Sequence, residues 1–315
     1  MEVITIQHPH EFNRFDFPPL SMALGYFDGV HLGHQKVILT AKEIAETKSI
    51  KSSVMTFDPH PSVILGRKDK VEYITPLKEK IERISDLGID YLFVVRFSSD
   101  FANLLPQEFV DQYIIGLHVD HVVAGFDFTY GRMGKGNMET LPFHSRNQFQ
   151  YTTVSKLSCD DEKISSTLIK DQIKQGKVDR MPRLLGHYFT TSGVVIHGDQ
   201  RGRTIGFPTA NVDISDEYIY PPVGVYSVRI KVEGKWYIGV CNVGYKPTFH
   251  KEQLDKPSIE VHIIDFENDI YGFEVTVEWY KHLRSEKKFS GIDELVSQIR
   301  KDTLQTIDYF EKNIG

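Results

Sequence analysis

The sequence predicts a two-domain α/β protein, in which a doubly wound parallel sheet is followed by a smaller antiparallel sheet or barrel. The chain has 315 residues, enough for two domains of ordinary size. Up to about residue 180, short apolar runs alternate with helical patterns, which is typical of a parallel sheet with helices on both faces. From Tyr188 onward, short strands follow one another, separated by Gly, Pro or Asn clusters. We therefore expect domains at 1–180 and 188–315, joined by a linker at 181–187.

The first domain is expected to open with a buried strand and a helix from about Leu32, because apolar residues recur on one face after that position. A second helix is expected to start at Thr75-Pro76, an N-cap followed by a first-turn proline, and to stop at Gly88. The expected strands are 21–27, 53–57, 91–97 and 121–126, and the expected helices after the first are 75–87 and 106–115.

Ligands of a doubly wound sheet bind beyond the carboxyl ends of its strands. The loops after Phe27, Phe57 and Phe126 would lie at that edge. These three loops are therefore the first place to search for a site.

The second domain is expected to contain short strands and one closing amphipathic helix. Apolar and polar residues alternate along 225–230 and 273–279, as in strands with one buried face. The expected strands are 189–196, 225–233, 236–243, 259–264 and 273–280. The apolar residues of the closing helix are Ile292, Leu295, Val296, Ile299, Leu304 and Ile307.

Charge and composition exclude several classes of function. Lys+Arg 37 minus Asp+Glu 43 gives a net charge of −6, and both domains are mildly acidic without a basic arm. Nucleic-acid binding as the main activity is therefore disfavoured, because it needs clustered phosphate contacts. No apolar run approaches the ~18 residues of a membrane span, and the first residues do not resemble a secretory signal. With two cysteines, Cys159 and Cys241, a disulfide scaffold is excluded, and a cytoplasmic location is expected.

The turn from the first strand into the first helix has the chemistry of an anion site. It contains the segment Gly25–Gln35, in which His31 and His34 stand three residues apart on the first helical turn. A helix N-terminus offers free N–H groups and the positive end of the helix dipole. Gly29 and Gly33 let a phosphate approach the backbone, and nucleotidyl transfer needs such donors at the α-phosphate.

Two other interpretations of this turn remain open. The two histidines could bind a metal, with His60 as a third ligand. The segment could also be an ordinary capped turn. A Walker-type phosphate loop is not supported, because its Gly-x-x-x-x-Gly-Lys-Ser/Thr pattern is absent.

Four segments in order along the first domain resemble motifs of bacterial FAD synthetase modules, a branch of the His-x-Gly-His nucleotidyltransferases. The first is Gly25–Gln35, which is similar to Gly-Asn-Phe-Asp-Gly-Val-His-x-Gly-His. The others are Thr56–Pro61, Ala124–Arg132 and Lys163–Lys170. The sequence departs from the family pattern at Tyr26, where the family usually has Asn, and at Lys170, where it has Arg. Lysine keeps the charge but loses the bidentate geometry of arginine.

This resemblance implies an FMN adenylyltransferase that uses ATP. His31 and His34 would be catalytic. The implied ATP and phosphate contacts are Gly25, Phe27, Asp28, Gly33, Ser165, Thr167 and Lys170. The implied flavin contacts are Phe57, Pro59, His60, Asp127 and Phe128.

The second domain carries a glycine-bracketed basic loop, Gly198–Gly206, followed by Phe-Pro-Thr-Ala-Asn. In an extended chain, Thr209 and Asn211 face the same side. Their oxygens could be ligands of Mg²⁺, which prefers hard oxygen donors beside substrate phosphates. The alternative is a hairpin loop with local turn hydrogen bonds.

The Pro208–Asn211 segment, with the Gly-Arg-x-x-Gly loop before it, resembles the hallmark of riboflavin kinase. Further similar segments are 222–226, 242–249, 259–262 and 283–289. The resemblance implies a six-stranded flavin-binding barrel with a C-terminal helix. It implies ATP contacts at Gly202, Arg203, Gly206, Thr209 and Asn211, with Mg²⁺ held by Thr209 and Asn211. Glu260 would be the catalytic base, and Arg284 a flavin contact.

Taken together, both resemblances predict a bifunctional enzyme that phosphorylates riboflavin to FMN and then adenylylates FMN to FAD with a second ATP, releasing pyrophosphate. The expected ligands are ATP, riboflavin, FMN and FAD with Mg²⁺, and neither nucleic acid nor a membrane is expected. An oligomeric state is not predicted. Two alternatives stay open: a protein with only one active site, and a flavin-responsive regulator that binds without turnover.

Overall fold

The computed structural model of the chain describes residues 1–66, 71–198, 202, 205–215, 217–245 and 257–313. The chain forms two compact units, Met1–Ser166 and Thr167–Gly315. The division falls earlier than the expected domain boundary at residue 180, so the helix that follows Ser165 belongs almost wholly to the second unit. Each unit is described separately below.

The first unit contains a parallel sheet whose strands are connected by helices. Its strands are β1 (Glu2–Gln7), β2 (Leu20–Leu24), β3 (Lys51–Asp58), β4 (Tyr91–Arg96), β5 (Val119–Gly125), β6 (Thr129–Tyr130), β7 (Gly136–Asn137), β8 (Gln150–Val154), β9 (Ser158–Cys159) and β10 (Glu162–Lys163). Its helices are α1 (Leu32–Lys48), α2 (Pro61–Ile64), α3 (Leu77–Asp86), α4 (Ser99–Ala102), α5 (Pro106–Phe109), which continues as a π-helix over Val110–Ile115, and α6 (Leu141–Ser145).

The sheet has six strands in the order β1-β4-β3-β2-β5-β8, and all neighbouring pairs are parallel. The predicted parallel sheet is therefore confirmed. Because β3, β2 and β5 are adjacent and parallel, the loops that follow them lie at the same edge of the sheet. This edge carries the first candidate site.

Both faces of this sheet are buried, as the doubly wound prediction requires. Along β2, Met22 and Leu24 belong to one core cluster and Ala23 to the other. The second cluster also contains Val37 and Ile38 of α1. Side chains alternate between faces along a strand, so one strand supplies both cores.

Several element boundaries differ from the sequence-based prediction. The strand predicted over 21–27 ends at Leu24, because the chain then enters a turn. The cap of α3 is Pro76 rather than Thr75, without a side-chain hydrogen bond. The strands β1 and β8 were not predicted; both lie at sheet edges and are largely solvent-exposed, so their apolar pattern is weak.

The second unit is a closed antiparallel barrel of six strands with a long terminal helix, as predicted. The barrel order is β11-β12-β15-β14-β13-β16. Its strands are β11 (Phe189–Ile196), β12 (Ala210–Ile214), β13 (Gly224–Val232), β14 (Lys235–Gly244), β15 (Ser258–Ile263) and β16 (Glu274–Arg284). The helices are α7 (Ser166–Lys174), whose first residue belongs to the first unit, α8 (Met181–Leu185) and α9 (Ile292–Asn313).

The buried face of α9 agrees with the predicted apolar face except at two positions, since Leu295, Val296, Ile299 and Ile307 are half-buried. The buried residues are Asp302, Thr306 and Phe310, whereas Ile292 and Leu304 are mostly exposed. Thr306 Oγ1 is hydrogen-bonded to Ser227 Oγ at 2.9 Å. Polar side chains with specific partners therefore join the apolar residues on the buried face of this helix. In the described part of the chain, no helix is both long and apolar enough to cross a membrane.

Candidate active sites

The turn between β2 and α1 has an unusual backbone that its own side chains hold in place. Phe27 and Val30 have positive φ angles of 56° and 40°, which non-glycine residues rarely adopt. Both side chains are 1% exposed, so core packing compensates for the strain. At Gly29, with φ 87°, a Cβ would also lie 3.1 Å from Ile74. The turn is therefore a rigid platform for the start of α1.

His31 is the N-cap of α1. Its Nδ1 accepts a hydrogen bond from the backbone N–H of His34 at 3.1 Å, and the two imidazole rings are stacked with centroids 3.5 Å apart. Burial lowers the pKa of His31 to about 4. At neutral pH its proton is therefore on Nε2, because Nδ1 is the acceptor. His31 is a neutral donor at a helix N-terminus.

His34 is also held neutral. Burial, and next the adjacent His31 with the ammonium groups of Lys80 and Lys163, lower the pKa of His34 well below its usual value. Its Nδ1 is buried and has no hydrogen-bond partner among the described residues. Buried polar atoms without partners are uncommon and often mark a ligand position. The first turn of α1 itself contains no acidic residue, although the carboxylates of Asp28 and Asp127 act electrostatically on His31.

The metal interpretation of this turn finds no support in the geometry. His60 is the N-cap of α2, and its Nδ1 accepts from Ser62 N at 3.0 Å, which occupies one of its two nitrogens. No group of three or more His, Cys, Asp or Glu residues that could hold a metal occurs in the part of the chain that the structure describes.

Asp28 ties the turn to two neighbouring segments. Its buried carboxylate accepts from the backbone N–H groups of Ile74 and Thr75 at 2.9 and 3.1 Å. Its backbone oxygen accepts from Ser166 Oγ at 2.9 Å. One carboxylate oxygen of Asp28 is thus used to hold the segment before α3, so a positioning contribution accompanies its predicted phosphate role.

The remaining predicted glycines of the turn permit close packing. A Cβ on Gly25 would lie 2.6 Å from the Phe27 ring, and one on Gly33 would lie 3.1 Å from the His31 ring. Glycine at both positions therefore leaves room for the rings that hold the turn in place.

The predicted phosphate contacts Ser165 and Thr167 flank Ser166 at the start of α7. Ser165 is half-buried and Thr167 is exposed.

The predicted flavin contacts lie on the loops after β3 and β5. Phe57 is buried at the end of β3, followed by Pro59 and His60. After β5, Asp127 is exposed and forms an ion pair with Lys163, and Phe128 is half-buried. The sheet order brings these two loops to the edge that carries the His31 turn, and their flavin role stays a prediction.

Lys170 lies in α7, half-buried, within the second compact unit. The sequence-based prediction assigned it to the phosphates of the first site. Its role there stays a prediction.

In the second unit, three polar residues occupy one row across three barrel strands. Asn211 on β12 pairs with Glu260 on β15, and Glu260 pairs with Asn242 on β14. Directly opposed residues share a face of the sheet, with Cβ atoms roughly 4.5–5.5 Å apart. Ile259 and Val261, the neighbours of Glu260, are buried in the barrel core, so the row lies on the outer face.

Of the glycines before β12, Gly198 packs against that row. A Cβ on Gly198 would lie 2.2 Å from Asn211 Nδ2, and one on Gly202 would lie 2.2 Å from the Phe207 carbonyl oxygen. Gly206 has φ 83°, a conformation that favours glycine. Gly198 therefore lies directly against the amide of Asn211. Arg203 lies outside the described residues.

A cavity of about 270 Å³ lies beside the start of β12. Thr209 and Ala210 form part of its wall, next to the aromatic rings of Phe266 and Tyr271. Sequence reasoning did not assign any residue of the 266–271 loop. The signal was weak, because aromatic residues in a loop between strands are equally typical of packing.

Arg284 at the end of β16 forms an ion pair with Asp302 of α9. Its Nε and Nη2 donate to the carboxylate of Asp302, with distances of 2.8 to 3.1 Å, and Asp302 is almost fully buried. The guanidinium anchors α9 to the barrel. The predicted flavin contact of Arg284 stays a prediction.

Two residues at these sites were missed by sequence reasoning. Lys80 is buried on α3 and donates to the Tyr26 carbonyl, and Asn242 stands beside Glu260. The signal for Lys80 is its position four residues before Ile84, on the buried face of the helix. The signal for Asn242 is the strand pairing, which needs the barrel register.

Comparisons with known proteins agree with both sites. A family model for FAD synthetase matches residues 16–168, and one for riboflavin kinase matches residues 185–310. A bifunctional riboflavin kinase/FMN adenylyltransferase of Bacillus subtilis (strain 168) is 54% identical over 98% of both chains. One of Listeria monocytogenes is 46% identical over 99% of both. A crystal structure from Streptococcus pneumoniae, under the name macrolide-efflux protein, has a TM-score of 0.87 at 35% identity, covering 97% of this chain and 99% of that one.

A nucleotidyltransferase-type parallel sheet and a flavokinase-type barrel define a two-domain, ATP-using transferase. The chain belongs to the family of bifunctional riboflavin kinases/FMN adenylyltransferases. Both enzymatic domains of that family are present in it.

Proposed function

We propose that the first unit adenylylates FMN through the His31 turn and that the second unit phosphorylates riboflavin through the Asn211–Glu260 row. One observation carries this proposal: each unit holds its own pair of juxtaposed chemical groups. His31 and His34 are stacked at 3.5 Å in the first, and Asn211 and Glu260 are paired in register in the second.

In the adenylyl transfer, a phosphate oxygen of FMN attacks the α-phosphorus of ATP, and the bond to pyrophosphate breaks. Negative charge builds on the non-bridging oxygens as this happens. The Nε2–H of His31 and the free N–H groups at the start of α1 are donors suited to that charge. Because both imidazoles are neutral, they stabilise the phosphates by hydrogen bonding rather than as cations.

In the phosphorylation, the terminal ribityl hydroxyl of riboflavin attacks the γ-phosphorus of ATP, and ADP leaves. Glu260 accepts the hydroxyl proton as the new bond forms, which is the role of a general base. Its half-buried position on the outer face of β15 leaves the carboxylate accessible to a substrate. The residues that flank it, Asn211 and Asn242, are uncharged, so Glu260 is the one charged side chain of this three-residue row.

Mg²⁺ fits the oxygen donors of this row. Glu260, which is paired with Asn211, keeps the role of general base. Thr209 precedes Asn211 by two residues, so in an extended chain a hydroxyl and an amide oxygen face the same side. These are the hard oxygen ligands that Mg²⁺ takes beside substrate phosphates. When bound, the ion would neutralise charge on the β- and γ-phosphates.

The cavity next to Thr209 is suited to the nucleotide base of ATP. Its aromatic residues, Phe266 and Tyr271, offer ring surfaces, and Asn268 and Asp269 offer polar groups. Phosphates held at Thr209 would then extend from the cavity toward Glu260. Sequence reasoning missed this part of the site.

A cytoplasmic location belongs to the proposal and is supported by the two free cysteines, Cys159 and Cys241. The alternatives of a single active site or a regulator without turnover are tested by the same assay. Purified protein is given riboflavin and ATP, with and without Mg²⁺, and products are separated by chromatography over time. We expect FMN first, then FAD, and no product after Mg²⁺ is chelated. A riboflavin reaction that yields neither product contradicts the proposal, and one that stops at FMN leaves the kinase alone active. A parallel reaction from FMN and ATP yields FAD if only the adenylyltransferase is active and no product if the protein is a regulator without turnover.

A further inference from the structure

Lys80 is a buried lysine on the face of α3 that packs into the first unit. It is 2% exposed, and it shares that buried face with Ile84 one turn later. Lysine is almost never fully buried without specific partners, because removing an ammonium group from water is costly. Its position therefore needs a reason beyond packing.

Two contacts of Lys80 lie on one residue of the turn. Its Nζ donates to the backbone oxygen of Tyr26 at 3.0 Å and lies 4.2 Å from the centre of the Tyr26 ring. The same carbonyl oxygen also accepts from Thr56 Oγ1 at 2.8 Å. Tyr26 is thus fixed by two donors at its carbonyl and by a cation–π contact at its ring.

This attachment acts on the strained turn itself. Tyr26 directly precedes Phe27, whose φ is 56°, and Asp28, whose carboxylate holds the Ile74 and Thr75 N–H groups. The turn is therefore attached at two points: Asp28 binds the Ile74–Thr75 segment that precedes α3, and Lys80 binds the turn from within α3. Displacement of either contact would move the start of α1.

The charge of Lys80 also reaches the histidine pair. The groups that face His34 are the His31 ring stacked on it, the Phe27 ring edge-on at 5.2 Å, and the ammonium groups of Lys80 and Lys163. The positive groups among these favour the neutral form of His34. The same positive potential favours an anion bound at the turn.

We propose that Lys80 is a positioning residue of the adenylyl-transfer site: its ammonium fixes the Tyr26 carbonyl, and with it the turn that carries His31 and His34, and adds positive charge where the ATP phosphates bind. This inference rests on the proposed FMN adenylyltransferase function of the turn. Lys80 acts through the turn, so its effect should fall on turnover in FAD formation and leave riboflavin phosphorylation alone.

The test compares Lys80→Met, which keeps the bulk and removes the charge, with Lys80→Arg, which keeps the charge. The matched control is Lys42→Met. Lys42 Nζ also donates to a backbone carbonyl at 3.0 Å, but to that of Leu87, after the end of α3. For each full-length variant, kcat and KM are measured for FAD formation from FMN and Mg·ATP, and His34 is titrated by NMR of its ring protons. Riboflavin phosphorylation in the same samples is the internal control.

We expect Lys80→Met to lower kcat for FAD formation by roughly 10–100-fold, as small misplacements of catalytic groups do. In the same Lys80→Met variant, the pKa of His34 should rise. Lys80→Arg should retain most of the wild-type kcat and of the low His34 pKa, and Lys42→Met should change neither quantity. A folded Lys80→Met variant with wild-type kcat and an unmoved His34 titration overturns the inference. If Lys80→Met does not fold, Lys80→Arg decides: a folded variant that keeps the low His34 pKa but makes no FAD overturns it. Failure of the proposed function shows differently, as absence of FAD from wild-type reactions.

Discussion

The Nδ1 atom of His31 lies 3.1 Å from the backbone nitrogen of His34 and accepts its hydrogen bond, while the two rings stack at 3.5 Å. This one relationship fixes the tautomer of His31, caps α1 and directs the remaining N–H of His31 away from its own helix cap. Both the chemistry of the first site and its pH dependence follow from it.

Replacing His34 with alanine should stop FAD formation from FMN and leave riboflavin phosphorylation intact. The variant loses the second imidazole of the stacked pair, and loss of one such electrostatic donor typically costs on the order of 10²–10³ in rate. The two reactions are assayed separately on the same preparation, so the kinase reaction is the control for protein quality. Near-normal FAD formation by a His31→Ala/His34→Ala double variant would contradict the assignment of the site.

The first unit should lose stability as the pH falls from about 6.5 toward about 4. The pKa of His31 is lowered to about 4 by burial, so between these values the unfolded chain binds a proton that the folded chain excludes. Stability therefore rises with pH in this window. Calorimetry across it measures the effect. His31→Asn, which supplies an N-cap oxygen in place of Nδ1 and does not titrate, should make the dependence shallower, while the lowered pKa of His34 maintains the remainder. An equally steep profile in that variant would rule His31 out as a source.

Lys170→Ala should weaken ATP use in FAD formation, and Lys170→Arg should be tolerated or mildly improved. A lysine neutralises a phosphate charge but cannot hold two oxygens as a guanidinium does. The apparent KM for ATP in the conversion of FMN to FAD is the measurement, compared with that of the riboflavin reaction. If Lys170→Ala leaves the apparent KM for ATP unchanged, Lys170 is not part of the first site, and the assigned site is limited to the His31 turn.

Gly198→Ala should impair riboflavin phosphorylation. The added Cβ would lie 2.2 Å from Asn211 Nδ2, so the amide beside Glu260 must move. The matched control is Gly291→Ala, where a Cβ meets nothing within 4 Å. Misplacement of a catalytic neighbour costs roughly up to 100-fold, and kcat for FMN formation checks it. Equal kinase activity in the two variants would show that Asn211 is not needed in its present position.

The sequence predicted most of the fold because its strands are buried and its turns carry clear glycine and proline signals. It missed β1 and β8, since edge strands that face solvent lack a continuous apolar run. It also missed the short barrel strand β12, whose residues were interpreted only as part of a loop motif. It did not predict that Asp302 and Thr306 share the buried face of α9, because their polar partners, Arg284 and Ser227, are supplied only by the packed barrel.

The candidate sites were predictable where a motif is local in sequence. His31 and His34 are neighbours on one helical turn, so spacing alone brought them together. Lys80 and Asn242 meet Tyr26 and Glu260 only through tertiary contacts, across a helix packed on a turn and across paired strands. Sequence periodicity carries no information about such pairs.

The central claim is that two independent catalytic sites act in sequence, and the Glu260→Gln variant tests it most directly. The substitution keeps the shape of the side chain and removes the base, and general-base contributions run to roughly 10²–10⁴ in rate. The variant is given riboflavin or FMN in separate reactions with Mg·ATP, and FMN and FAD are quantified. We predict almost no FMN from riboflavin but wild-type formation of FAD from FMN. Full phosphorylation of riboflavin, or loss of both reactions in a folded protein, would contradict the account.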